Sequence, residues 1–387
     1  MEKFTANAAM KDLAARQKLY NPNTVNATTS GLVFIIALVV NFALSIAFNL
    51  FVKATKIEPA SYLVLFLGLV LAQLSICAIA LITAKIKNVK LANGGGFACR
   101  KKPIQWFMGI MLIFGLMAVV SPVAEIYVQD WYTIWGRFGI TPSPTPEYTG
   151  NIIFGVFAVL LTPILPAIFE EWLYRGIIMK GLREFGDITA IILSSLMFAI
   201  MHGSMEQFIY QFIVGFAIGG AVMLTGNYFV GCAMHFANNL FAQIFAVCEE
   251  IMTTEAFATF EIMSIIVGAI CIMVAVCYFI KFAMNKAKRE NAPLPDNEAH
   301  YFITNTADAD NNCKYLHYGK TVTLNDKNSS VKTLFLTQKG ELRLINNKSN
   351  KITAWILVSV GIALGLALII ISDFGFLAKL IRAILKI

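Results

Sequence analysis

Within long apolar stretches of this 387-residue sequence stand a few side chains able to do acid–base chemistry, at helical intervals. Phe169-Glu170-Glu171-Trp172-Leu173-Tyr174-Arg175-Gly176 carries two adjacent acids and an arginine. Glu171 and Arg175 are four residues apart, so on a helix they share a face and can pair. Pairing is what lets a carboxylate and a guanidinium tolerate low dielectric. Glu170 is rotated by about 100° from Glu171. It points to a different wall of a bundle, without the arginine, where a carboxylate can act as general base or acid. Phe198 and His202 are again four apart, so the ring can pack beneath the imidazole. His235 and Asn239 repeat the spacing. One carboxylate, two imidazoles and one carboxamide are the parts for activating a water and stabilising an oxyanion. Glu170, His202 and His235 could equally hold a metal, since two His and a Glu are a common zinc set with one position open to water.

Structural readings compete with each of these. Glu170, Glu171 and Arg175 could staple helices together. Either histidine could sit at a membrane interface. Asn239 could be an interhelical hydrogen bond worth only ~1 kcal/mol. The joint pattern favours chemistry, because Glu170 to His202 spans 32 residues and His202 to His235 spans 33, on three consecutive apolar stretches. Ser194 and Ser195, one to two turns before His202, are a minor alternative as nucleophiles. Glu125 stands alone near the end of its stretch.

The elements that must position these groups are membrane helices. Apolar residues make up 58% of the chain and charged residues 14%, against about 25% charged in a soluble domain. That excludes a disordered chain, a collagen or a disulfide scaffold, and makes lipid the expected solvent. The net charge of +8 lies mostly between apolar runs, where it reads as a topology signal and not as nucleic-acid affinity. The seven cysteines include no CxxC pair and read as reduced thiols. Apolar runs at 32–52, 62–84, about 104–128, 152–181, 188–203, 207–225, 228–248, 262–284 and 353–372 predict an all-α polytopic membrane protein with eight or nine transmembrane helices. Loop charge predicts a cytoplasmic N-terminus. The organisation read from this pattern is a cytoplasmic segment 1–30, three helices and loops over 31–150, a catalytic core 151–250, a helix within 251–284, a soluble cytoplasmic segment 285–350 with possible β structure, and a helix with a basic amphipathic tail over 351–387. Glu2 to Leu19 has the pattern of a surface amphipathic helix. Pro142, Pro144 and Pro146 favour an extended loop.

The ordered motifs EExxxR (Glu170-Glu171…Arg175), FxxxH (Phe198…His202) and HxxxN (His235…Asn239) resemble the CAAX prenyl endopeptidase and bacteriocin-processing (CPBP) family of intramembrane proteases, also called Abi or lysostaphin-resistance-protein-A-like proteins. The resemblance covers roughly 150–250. It implies a membrane-embedded hydrolase in which Glu170 and His202 activate the attacking water and His235 with Asn239 holds the oxyanion. Glu171 and Arg175 would support the site. The family is usually labelled a metalloprotease, which implies zinc, with Glu170, His202 and His235 as candidate ligands; the motifs leave open whether a metal takes part. The implied partners are the lipid bilayer and a membrane-associated protein or peptide substrate, with no nucleic acid. The absence of a targeting segment and the positive-inside charge pattern fit a bacterial plasma membrane, with the endoplasmic reticulum as the alternative. The family core does not require the 285–350 segment, a ninth helix or the basic tail, and many bacterial relatives have no prenylated substrate. Two other functions fit the composition: a catalytically silent scaffold in bacteriocin immunity or cell-wall regulation, and a proton-coupled transporter. The transporter class more often has inverted repeats and broken helices in both halves, whereas the polar set here lies in one half.

Overall fold

A computed structural model describes residues 25–87, 102–135, 149–291 and 350–373, together with short strands within 3–5 and 302–345. Two compact units divide the chain, one comprising residues 26–83, 90–279 and 349–387, the other residues 1–25, 84–89 and 280–348.

Nine helices of at least 15 residues form among the described residues. They are α1 (Ala27–Thr55), α2 (Tyr62–Ile86), α3 (Pro103–Trp135), α4 (Ile152–Leu173), α5 (Asp187–Met201), α6 (Met205–Thr225), α7 (Tyr228–Ile251), α8 (Thr254–Asn291) and α9 (Lys351–Asp373). Eight are long and apolar enough to cross a membrane, so the chain is a multi-pass membrane protein. The exception is α5, whose 15 residues reach only ~22 Å at ~1.5 Å per residue, against a hydrocarbon core of about 30 Å. The apolar run at 188–203 thus forms a shorter helix, and eight of the nine helices, not nine, have the length and composition of a span. Large apolar side chains face outward along the spans, among them Val123, Leu160 and Ile262, each more than half exposed. A face of that kind is stable against lipid and not against water.

Close packing follows small residues, as expected where lipid tails compete with side chains for apolar contact. Gly31 of α1 lies against Leu357 of α9, and Gly361 of α9 against Phe34 of α1. Gly115 of α3 meets the backbone of α8 at Gly268. Tyr62 of α2 fits over Gly155 of α4, and Phe66 packs on Phe154 and Phe157. Pro163 and Pro166 lie inside α4 without breaking it.

The path after Leu173 leads to His202. A π-helical turn (Tyr174–Met179), a single helical turn (Lys180–Leu182) and a 3-10 turn (Arg183–Phe185) extend α4. From Glu170 to Phe185 the chain advances 15 residues and from Asp187 to His202 another 15, and the His202 ring ends within electrostatic reach of Glu170. Gly203, at φ +70, turns the chain directly after His202, and Ser204 caps α6 by accepting the Glu206 N–H at 3.1 Å. At the other end Gly226, at φ +61, closes α6 and Asn227 caps α7. Left-handed backbone of this kind favours glycine.

In the second unit the described residues form two three-stranded sheets. In one, β1 (Lys3–Thr5) runs parallel to β2 (Phe302–Thr304), which pairs antiparallel with β3 (Cys313–Tyr315). In the other, β4 (Thr321–Asp326), β5 (Ser329–Leu336) and β6 (Leu342–Ile345) form an antiparallel meander. The alternation at Thr321–Leu324 and Thr333–Leu336 falls within β4 and β5. Within the Glu2 to Leu19 stretch expected as an amphipathic helix, Lys3–Thr5 is strand, paired with Phe302–Thr304; the rest of that stretch lies outside the described residues. The proline segment 142–146 and the basic tail from Phe374 onward also lie outside them. Cys77, Cys232, Cys248, Cys271 and Cys277 are free thiols.

Candidate active site

Two carboxylates at the end of α4 face different partners, as their ~100° separation requires. Glu171 is fully buried, and its Oε1 accepts from Arg175 Nη1 at 2.8 Å and from His235 Nδ1 at 2.9 Å. Arg175 Nη2 donates to the Gly215 carbonyl of α6 at 3.0 Å. One ion pair thus ties α4, α6 and α7 together, with each charge compensated as burial demands. Gly231, one turn before His235, makes room for it: a Cβ there would lie 2.8 Å from Glu171 Oε2 and 2.7 Å from Val222 Cγ2.

Glu170, 9% exposed, turns toward α2. Its Oε1 accepts a hydrogen bond from Gln73 Nε2 at 2.7 Å, and its Oε2 lies 3.9 Å from His235 Nε2. The wall without an arginine is therefore α2, and the carboxylate that the sequence leaves unpaired has a neutral amide as its partner.

Phe198 is the common floor beneath both imidazoles. Its ring centroid lies 4.8 Å from that of His202 and 5.6 Å from that of His235, edge-to-face in each case. Tyr174 meets it edge-on at 5.2 Å, and the Arg175 guanidinium lies 5.1 Å from its centroid. His202 Nδ1 is 2.9 Å from the Phe198 carbonyl. A carbonyl only accepts, so the proton is assigned to Nδ1 and the lone pair to Nε2. The same reasoning applied to the Glu171 carboxylate assigns a proton to His235 Nδ1 and leaves Nε2 as the nitrogen facing Glu170. Both Glu170 and His235 lie within electrostatic reach of the half-buried His202 ring.

Asn239 stands one turn further along α7. Its Nδ2 donates to the Thr162 carbonyl at 3.2 Å. That carbonyl lacks its usual helical partner because residue 166 is proline and has no N–H. Asn239 Oδ1 accepts from Asn238 Nδ2 at 3.1 Å, and Asn238 Oδ1 accepts from the Tyr210 hydroxyl at 2.7 Å. Tyr210 also lines a cleft of about 490 Å³ between α3 and α6, with Ser121, Glu125, Gln129, Glu206 and Gln207. The Tyr132 hydroxyl donates to Glu206 on the same side.

Glu170, Glu171, Arg175, His202 and His235 are thus gathered in one cluster, with Asn239 bonded to the helix that carries the two glutamates. Ser194 and Ser195 are not part of it. Both are buried, and both donate their hydroxyl to the Ile191 carbonyl, at 3.2 and 2.6 Å. As a metal site the cluster fits poorly. Among the described residues no three His, Cys, Asp or Glu side chains converge at ligand spacing. The 3.9 Å between His235 Nε2 and Glu170 Oε2 exceeds the roughly 3.3 Å between two ligands on a tetrahedral zinc with ~2.0–2.1 Å bonds.

The sequence motifs omit Gln73, Gly231, Tyr210 and Asn238. They also omit a buried pair beside the α7 cap, Asn227 Nδ2 to Gln105 Oε1 at 2.9 Å. The one signal for Gln73 is a carboxamide in the middle of the otherwise apolar α2.

Residues 151–241 match the protein family described as Type II CAAX prenyl endopeptidase Rce1-like. The matched stretch runs from the start of α4 into α7 and contains EExxxR, FxxxH and HxxxN entire. About a quarter of the chain therefore carries the CAAX prenyl endopeptidase pattern, in agreement with the motif resemblance. No curated protein and no solved structure matches the chain.

Proposed function

We propose that this protein is an intramembrane endopeptidase that hydrolyses a peptide bond of a membrane-associated protein or peptide by direct attack of water. The observation that carries the reading is the juxtaposition of Glu170 Oε2 and His235 Nε2 at 3.9 Å over Phe198, with the His202 imidazole on the same ring. A water oxygen bridging Glu170 Oε2 and His235 Nε2 would lie about 2.8 Å from each group. Glu170, with His202, takes a proton from that water as its oxygen attacks the scissile carbonyl. The oxyanion of the tetrahedral intermediate is held by the second N–H of Asn239, whose first N–H serves Thr162, and by His235 as an imidazolium, whose Nδ1–H stays on Glu171 while its Nε2–H donates to the oxyanion. The C–N bond then breaks, the leaving amine takes the proton from Glu170, and the products are a carboxylic acid and an amine, which ionise to carboxylate and ammonium. Glu171 holds the His235 ring by its Nδ1 proton, and Arg175 holds Glu171.

The family description supports a substrate near the membrane surface, such as a prenylated C-terminal C-a-a-X sequence. Lys and Arg in 85–102 and 285–350 support a cytoplasmic N-terminus. The function is tested by incubating the purified protein in micelles with two quenched fluorogenic peptides, one ending in a farnesylated CAAX sequence and one a non-prenylated transmembrane peptide. Cleavage of either, lost in Glu170→Gln, is the expected result. Cleavage of neither, or cleavage unchanged in Glu170→Gln, contradicts the reading.

A further inference from the structure

We propose that Gln73 is a positioning residue for Glu170, so that the active site extends to α2, a helix outside the matched stretch 151–241. This inference rests on the endopeptidase reading above. The Gln73 amide nitrogen lies 2.7 Å from Glu170 Oε1, within the short range of hydrogen bonds to charged acceptors. Donor and acceptor are 6% and 9% exposed, so little water competes for either. The amide orientation follows from the contact itself. A flipped side chain would set two acceptor oxygens 2.7 Å apart, so the nitrogen faces the carboxylate.

The consequence is directional. A carboxylate with two equivalent oxygens can present either to a substrate by rotating about its last bond. Gln73 commits Oε1 and fixes the carboxylate plane, which leaves Oε2 toward His235 Nε2. Glu170 is thereby gripped from α2 and His235 from α4, through Glu171 Oε1. Each of the two groups facing the water position has one fixed side and one working side.

A helix-to-helix staple between α2 and α4 would use the same bond, but two facts favour positioning. The other end of the Gln73 amide, Oε1, is buried with no hydrogen-bond partner among the described residues. Buried polar atoms are nearly always paired, and an amide serving only adhesion would gain by pairing both ends. The adhesion of α2 to α4 is also supplied elsewhere, by Tyr62 on Gly155 and by Phe66 on Phe154 and Phe157.

The test compares Gln73→Met, nearly isosteric but without a donor, with Gln105→Met, which removes the other buried glutamine and its bond to Asn227. Turnover is read on whichever fluorogenic peptide the wild type cleaves, and unfolding midpoints in detergent are read in parallel. For Gln73→Met the expected result is a kcat lowered about 10- to 100-fold, the range typical for groups that orient a reacting side chain, with KM within about twofold and the midpoint close to wild type. Gln105→Met is expected to lower the midpoint and keep kcat. Gln73→Asn, which keeps the carboxamide one methylene short, serves if the Met variant does not fold; an intermediate kcat is expected. A kcat within about twofold of wild type in Gln73→Met, or a loss that only tracks the midpoint as in Gln105→Met, overturns the positioning role. Glu170→Gln in the same series separates the two claims: if it cleaves normally the endopeptidase site itself is wrong, and if it is inactive the Gln73 result stands alone.

Discussion

His235 Nδ1 lies 2.9 Å from Glu171 Oε1, and the same oxygen accepts Arg175 Nη1 at 2.8 Å. A single buried carboxylate oxygen therefore fixes an imidazole on one helix and neutralises a guanidinium on its own. This couples the site to the fold. Replacing Glu171 by Gln keeps the shape but removes the charge, which leaves Arg175 buried without compensation. The expected cost is about 3–5 kcal/mol of stability, with a 10- to 100-fold fall in kcat/KM from the freed imidazole. Denaturation and turnover of Glu171→Gln check both, and wild-type values in both would contradict the assigned role.

Gly231 provides the space for that carboxylate. Gly231→Ala would bring a methyl to 2.8 Å from Glu171 Oε2 and 2.7 Å from Val222 Cγ2. Overpacking of this kind costs about 1–3 kcal/mol, and the displaced carboxylate should carry His235 with it. Activity is expected to fall at least tenfold while α7 remains helical by circular dichroism. The variant Gly220→Ala, which meets nothing within 4 Å, is the control and should resemble wild type.

Asn239 has two duties that can be separated. Its Nδ2 serves the Thr162 carbonyl, which Pro166 leaves without a partner. Asn239→Leu should cost about 1–3 kcal/mol from the orphaned carbonyl and also lower kcat through loss of an oxyanion donor. Adding Pro166→Ala restores an N–H to Thr162. The double variant is expected to regain stability and not turnover. Recovery of both would assign Asn239 a structural role alone.

The loose donor spacing in the cluster has a consequence for metal removal. Dialysis against a strong chelator, followed by assay in the same buffer, is expected to leave peptide cleavage within about twofold of its initial rate. Loss of cleavage that returns with zinc would show that the side chains rearrange around an ion.

What could be read from the sequence is what repeats at helical spacing within an apolar background. Glu171 with Arg175, Phe198 with His202 and His235 with Asn239 are each four apart, and a charge or imidazole in an apolar run is conspicuous. The helices were legible for the same reason. The short length of α5 was legible too, since the run at 188–203 nearly coincides with Asp187–Met201; what was not is that the helix before it continues through a π turn and a 3-10 turn to Phe185. Gln73 was not legible either. A lone neutral amide carries no period, and its partner is 97 residues away. Gly231 and Pro166 act by what they lack, a Cβ and an N–H, and the need for each absence becomes visible only with Glu171 and Asn239 in place.

The most direct measurement is the initial rate of peptide cleavage by the purified wild type beside Glu170→Gln, His202→Ala and His235→Ala, each verified as folded by its unfolding midpoint. Measurable cleavage by the wild type and a loss of at least about 100-fold in each variant are expected, as removal of a general base or an oxyanion donor entails. Wild-type rates in Glu170→Gln or in His235→Ala would contradict it.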